Sequence, residues 1–141
     1  MIADQVVSKK TKKILIIDDE PQFCEDLAFL LDGPYEITMA TDSQNGMKLV
    51  YETQPDLIIL DLVMPAHFAT DRENEGLEVL KKLKQGDTSN IPVLILTKMD
   101  SVQKKAECFA LGAEGYLEKP PSVEELLAKI ENIGVCGNKR G

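Results

Sequence analysis

The chain has 141 residues, 43% of them hydrophobic and 28% charged, which is enough for one domain with a single core and excludes an intrinsically disordered composition. Its formal net charge of −8, from 24 acids against 16 bases, argues against direct binding of nucleic acid by this chain. Cys24, Cys108 and Cys136 are odd in number and lack C-x-x-C spacing, which excludes a disulfide framework or zinc site and fits a reducing cytoplasm.

Residues 1–12 read as a polar leader in which Lys9, Lys10 and Lys12, with Lys13 behind them, form a solvated basic lead-in. That leader has no apolar signal core, and no apolar run approaches the ~20 residues that span a bilayer, so neither export nor membrane contact is expected. The first strand is predicted at Ile14-Leu15-Ile16-Ile17, running into Asp18-Asp19. Pro21 suits the first turn of a helix, and Phe23, Leu27, Leu30 and Leu31 mark its apolar face until Asp32-Gly33-Pro34 stops it. Tyr35 to Ala40 is a weaker strand, expected near an edge. Thr41, Asp42 and Ser43 are candidate caps for a second helix that buries Met47, Val50 and Tyr51.

Leu57-Ile58-Ile59-Leu60 is a continuous aliphatic run, the signature of a strand buried on both faces, and it ends on Asp61. An irregular segment follows, and then a third helix with Leu77, Leu80 and Leu83 inward, ending near Gly86. Pro92 to Leu96 is the fourth strand and leads into Thr97. Val102, Ala106, Phe109 and Ala110 mark a fourth helix, which Gly112 stops. The fifth strand is Gly115-Tyr116-Leu117. Ser122 and Glu125 form a capping box for the last helix, whose inward face is read as Val123, Leu126, Leu127 and Ile130. Cys24 and Cys108 fall at helical positions as small core thiols. Five strands alternating with five helices predict an α/β fold, a parallel sheet with right-handed crossovers and helices on both faces. The folded unit is expected over 13–133, with a flexible tail at 134–141.

Parallel strands bring their carboxyl ends to one edge, where ligand crevices form in open α/β sheets. Asp18, Asp19, Asp61, Thr97 and Lys119 collect there. Three carboxylates so close repel one another unless a cation joins them, and an oxygen-only donor set without histidine or thiolate favours a hard ion such as Mg²⁺. A lysine ammonium and a threonine hydroxyl beside that cation suit a tetrahedral oxyanion, so the constellation reads as a place where a carboxylate accepts a phosphoryl group.

Four motifs in order, Asp18-Asp19, Asp61 with Met64-Pro65 behind it, Thr97, and Tyr116-Leu117-Glu118-Lys119-Pro120, resemble the receiver (phosphoacceptor) domain of two-component response regulators. The resemblance covers almost the whole chain. It implies a flavodoxin-like, doubly wound (βα)5 fold with strand order 2-1-3-4-5 and a phosphorelay role. Asp61 would be the phosphoacceptor, fed by a histidine kinase or a histidine phosphotransfer protein. Mg²⁺ would be held by Asp18, Asp19, Asp61 and the backbone carbonyl of Val63. Thr97 and Lys119 would bind the phosphoryl group, and Lys119-Pro120 would be cis. Thr97 and Tyr116 would switch the surface of the fourth helix, fifth strand and fifth helix, which an output partner or a second copy of the chain reads. Such a domain assists its own phosphotransfer and dephosphorylation and is not a turnover enzyme.

The chain departs from the family in three places. Lys98 follows Thr97 where a small residue is usual, and Val63 and Met99 are apolar where relatives are often polar. All three positions bear on the lifetime of the phosphorylated state. The segment from Ala66 to Glu75 is longer than usual and polar, and is expected to be a mobile surface insertion or, alternatively, a partner-recognition element beside the site, with His67 exposed in it. The alternatives are a receiver fold used as a phosphorylation-independent interaction module, an aspartyl-phosphate phosphatase, and a flavodoxin-like ligand-binding module. Val63 argues against the phosphatase, which wants an acid at that position. Asp18-Asp19-Glu20 argues against the ligand-binding module, which wants a Gly/Ser/Thr-rich phosphate loop there.

Overall fold

The structure, a computed structural model, describes the backbone of residues 12–140 and the side chains of 12–134. Most of the polar leader and the side chains beyond residue 134, that of Cys136 among them, lie outside this description.

Five strands are present: β1 (Lys12–Ile17), β2 (Tyr35–Ala40), β3 (Leu57–Leu60), β4 (Val93–Thr97) and β5 (Gly115–Glu118). All pair in parallel in the order β2-β1-β3-β4-β5, so the weaker strand β2 is an edge and the aliphatic run of β3 is central, as the sequence pattern predicts. The five helices are α1 (Pro21–Leu31), α2 (Ser43–Thr53), α3 (Glu75–Leu83), α4 (Val102–Ala110) and α5 (Val123–Arg140). α5 thus continues past Ile133, where the sequence pattern ends the folded unit.

Alternation along each strand feeds two cores. Leu15, Ile17, Ile58, Leu60, Val93 and Ile95 meet Val50 of α2, Leu77, Leu80 and Leu83 of α3 and Cys108 of α4. Ile14, Ile16, Leu57, Ile59, Leu94 and Leu96 meet Cys24, Leu27 and Leu31 of α1 and Leu126, Ile130 and Ile133 of α5 on the opposite face. Each of these aliphatic side chains stabilises the fold by about 1.5–3 kcal/mol when fully buried. Both buried thiols are pushed up chiefly by burial, Cys24 to about 12 and Cys108 to about 11, so they behave as small apolar groups.

Helix ends follow their local chemistry. Pro21 opens α1, and the Asp42 carboxylate accepts the Asn45 amide at 2.7 Å to cap α2. Ser122 and Glu125 form the reciprocal box of α5, with the Glu125 amide donating to Ser122 Oγ at 3.0 Å. Helix faces are where expectation and structure part. Tyr51, Val123 and Leu127, read as inward, are exposed, as is Leu30, and Ile133 takes the inward place on α5. On α4 the displacement is complete: Val102, Ala106, Phe109 and Ala110 all face solvent and Cys108 alone is buried. Amphipathic spacing identifies an apolar stripe but not what covers it.

One contact fixes α3 against the end of β3. A Cβ at Gly76 would lie 2.2 Å from the backbone oxygen of Asp61 and 2.4 Å from Leu62 Cα, and the Gly76 amide donates to the Leu62 carbonyl at 2.9 Å. The main chain that carries Asp61 therefore has room only for glycine beside it. Gly76→Ala is expected to lower unfolding free energy in urea by more than about 3 kcal/mol, the upper range for overpacking against rigid backbone. A loss below about 1 kcal/mol would show that the β3–α3 junction yields.

Candidate functional site

β1 and β3 end side by side, with Ile17 in register with Leu60, so the residues that follow each strand share the carboxyl edge of the sheet. Asp18, Asp19 and Asp61 place one carboxylate oxygen each within 4.8 Å of one another. Into this cluster comes Lys119, delivered by the end of β5 and fixed by its backbone amide on the Thr97 carbonyl at 2.8 Å. Its Nζ lies 2.7 Å from Asp18 Oδ2, 2.9 Å from Glu20 Oε1 and 3.0 Å from Asp61 Oδ2. The same ammonium stands 4.2 Å from the ring centroid of Phe23. The Lys119-Pro120 bond is cis.

Electrostatics follow from burial. Desolvation pushes the Asp18 carboxyl up to about 6 and outweighs the hydrogen bonds from Lys119 and the Glu20 amide, while the Asp61 charge adds to the rise. Burial alone would lower Lys119, but its bonds to Asp18, Glu20 and Asp61 hold it above the usual lysine range. Glu20, more exposed, is held below the usual carboxylate range by Lys119 first and Lys98 second. An oxygen-only cluster without histidine or thiolate is the donor set that a small hard cation prefers.

Thr97 ends β4 fully buried, and its hydroxyl accepts the Met99 amide at 3.3 Å, the strand-end capping role open to such a residue. Tyr116 is turned inward, with its hydroxyl donating to the Met99 carbonyl at 2.6 Å, and burial pushes its phenol up to about 12. The loop after β4 is therefore held from Thr97 on one side and Tyr116 on the other. Lys98 neither fills the pocket nor lies over it: it is mostly exposed at the rim, 3.3 Å from Glu20 Oε2. The Val63 amide donates to Asp61 Oδ1 at 3.2 Å.

The segment after Pro65 differs most from expectation. It is tethered, and the acid expected on its surface is its anchor. Glu75, 0% exposed at the start of α3, accepts the amides of His67 at 2.8 Å, Phe68 at 3.0 Å and Ala69 at 2.8 Å, and also the Ser43 hydroxyl of α2. A short turn, Arg72–Asn74, is capped by Asp71 and makes two outward contacts. Arg72 Nη2 lies 2.9 Å from Asp19 Oδ2, and Lys104 of α4 donates to Asn74 Oδ1 at 2.5 Å. His67 is exposed, stacked edge-on against Phe68. Glu20 could have been read as the third acid of a run, whereas Phe23, Arg72 and the anchoring role of Glu75 left no spacing signal.

A parallel sheet in this strand order, with an acid cluster and a buried lysine at its carboxyl edge, defines a CheY-like receiver fold. The chain belongs to the response regulator receiver domain family, whose model matches residues 14–131. It is 38% identical over 123 residues to the DNA-binding dual master transcriptional regulator RpaA of Synechocystis sp., covering 86% of this chain and 48% of that protein. It is 35% identical over 123 residues to response regulator MprA of Mycolicibacterium vanbaalenii, covering 86% of this chain and 49% of that one. The chain therefore spans about half the length of these curated relatives. Among solved structures, a CheY-like response regulator receiver domain protein from Methanospirillum hungatei superposes with a TM-score of 0.82 at 25% identity, covering 94% of this chain and 100% of that one.

Burial would raise the Glu75 carboxyl, but the Ser43 hydroxyl and the three backbone amides hold it below the usual range. An acid depressed in the folded state contributes stability above its unfolded pKa of about 4.3 and loses it as pH falls through the folded value. Glu75→Gln is therefore expected to destabilise the protein at neutral pH, with the gap from wild type narrowing below about pH 4. Urea unfolding across pH 3–7 checks this, and a pH-independent gap would show that the carboxylate charge is not what holds the segment.

Proposed function

We propose that Asp61 accepts a phosphoryl group from the phosphohistidine of a histidine kinase or a histidine phosphotransfer protein. The observation that carries this reading is the Lys119 ammonium 3.0 Å from Asp61 Oδ2, with Asp18 and Asp19 oxygens in the same cluster. An Asp61 carboxylate oxygen attacks phosphorus, the P–N bond breaks, and the imidazole nitrogen keeps the electron pair and takes up a proton. Lys119 first orients the Asp61 carboxylate and then neutralises charge on the transferred group. Thr97, at the end of the neighbouring strand β4, accepts the Met99 amide and would donate its hydroxyl hydrogen to a phosphoryl oxygen, with Tyr116 holding the same loop inward.

Asp18, Asp19, Asp61 and the Val63 carbonyl would hold Mg²⁺, whose bound charge screens the incoming phosphoryl oxygens from these carboxylates. The donor chemistry fits, because the cluster is oxygen-only and partly buried. Phosphorylation adds negative charge and acceptor oxygens beside Thr97 and shifts the population of α4-β5-α5 arrangements that an output partner or a second copy reads. No helix among the described residues is long and apolar enough to cross a membrane, and we place the chain's exchange with its kinase in the cytoplasm.

Two outcomes test this. Intact mass after incubation with acetyl phosphate and Mg²⁺ should show one labile phosphoryl group on wild type and none on Asp61→Asn. Phosphorylation of both would move the acceptor elsewhere. The side chains of Val63 and Met99 cannot hold an attacking water by a polar group, and the Lys98 ammonium stands at the rim paired with Glu20. Autodephosphorylation should accordingly be slow and should quicken severalfold in Lys98→Ala, whereas equal rates would remove Lys98 from the lifetime argument.

A further inference from the structure

We propose that Arg72 is a tethered counter-cation of the acid cluster, and that divalent-cation binding displaces it and releases the Asp71–Asn74 turn from the site. The proposal rests on the reading of Asp18, Asp19 and Asp61 as a Mg²⁺ site and adds to it a competitor supplied by the chain itself. Four carboxylates, Asp18, Asp19, Glu20 and Asp61, face three cations at this edge: Lys119, Lys98 and Arg72. Lys119 is locked by three partners and 2% exposed, and Lys98 reaches only Glu20 at the rim. Arg72 is different, because it holds a single oxygen of Asp19, a member of the candidate metal cluster, and its side chain is 53% exposed.

A divalent ion on the cluster takes the carboxylate that Arg72 uses and repels the guanidinium as well. One half-exposed contact is the weakest cationic attachment to the cluster, so it is the one that yields. Its loss is not silent, because Arg72 and Asn74 share a three-residue turn. The Arg72 carbonyl accepts the Met64 amide at 3.2 Å, the Asp71 carboxylate accepts the Asn74 amide at 3.0 Å, and Asn74 Oδ1 receives Lys104 of α4. The first part of the segment stays in place on Glu75, which has no contact with the cluster among its hydrogen bonds. Cation loading thus reaches α4 through the insertion, by a path separate from Thr97 and Tyr116.

Calorimetric Mg²⁺ titration of the full chain tests the exchange. Arg72→Gln should tighten the dissociation constant roughly two- to fivefold at low ionic strength, the range expected for one exposed ion pair, and the gain should shrink near 1 M salt. Lys48→Gln, which removes the same charge on α2, should leave the constant unchanged. In hydrogen exchange, Mg²⁺ should speed the Asn74 amide in wild type but not in Arg72→Gln, with the Glu75-bound amides of His67, Phe68 and Ala69 as internal reference. Equal affinities for wild type and Arg72→Gln, or equal tightening by Lys48→Gln, would overturn the exchange while leaving the metal site standing. No Mg²⁺ binding by any variant would overturn the metal site and the exchange together.

Discussion

The ammonium of Lys119 joins Asp18, Glu20 and Asp61, all within 3.0 Å, and thereby binds the loop after β1 to the end of β3 through the strand end of β5. Burying acids at the edge of a parallel sheet is costly, and burial, with a smaller addition from the Asp61 charge, is what raises the pKa of Asp18. A fixed buried cation offsets it without engaging the whole cluster, because Asp19 pairs instead with the half-exposed Arg72. Removing one partner from such a buried network leaves unpaired charge, an effect on the order of 3–5 kcal/mol. Among the described residues every buried side-chain polar atom has a hydrogen-bond partner, so the network is closed. The same ion pairs that hold Asp61 beside Lys119 join the sheet edge together.

Around this edge the chain uses glycine and glutamate in adjacent positions to solve two problems. Gly76 lets α3 approach the Asp61 backbone, and Glu75 turns back to gather three amides of the inserted segment. A buried carboxylate without a cationic partner is tolerated here because backbone donors and a hydroxyl saturate it. With the first part of this segment held on Glu75, its outer turn faces the acid cluster through Arg72.

The fold was legible because the information lies in local pattern. Leu57 to Leu60 could only be a doubly buried strand, and Asp42, Ser122 and Pro21 mark helix starts through bonds made within one turn. The acid cluster was equally legible, since an acid after a parallel strand must lie at the carboxyl edge. The burial of Glu75 and the reach of Arg72 were not, because each depends on where a loop's backbone turns, and no periodicity encodes that. Helix faces failed for a related reason: Val102, Ala106, Phe109 and Ala110 have the spacing of a core stripe, yet all four are exposed in the described structure. Spacing says that residues share a face, whereas burial is set by neighbouring elements.

That exposed stripe leaves α4 lightly packed. The helix is anchored by one buried side chain, Cys108, so its position depends on its ends and on the loops that reach it. Two such connections lead back to the acid cluster. One passes through Thr97, Met99 and Tyr116, a set of bonds around the loop that precedes the helix. The other passes through Asp19, Arg72, Asn74 and Lys104 and belongs to the insertion. A lightly anchored element held from two sides is well suited to adopt two arrangements of similar energy, since few buried contacts must break to move it. Under the proposed function, the charge state of one carboxylate cluster would bias both holds at once and so couple the chemistry of the sheet edge to the apolar surface of α4.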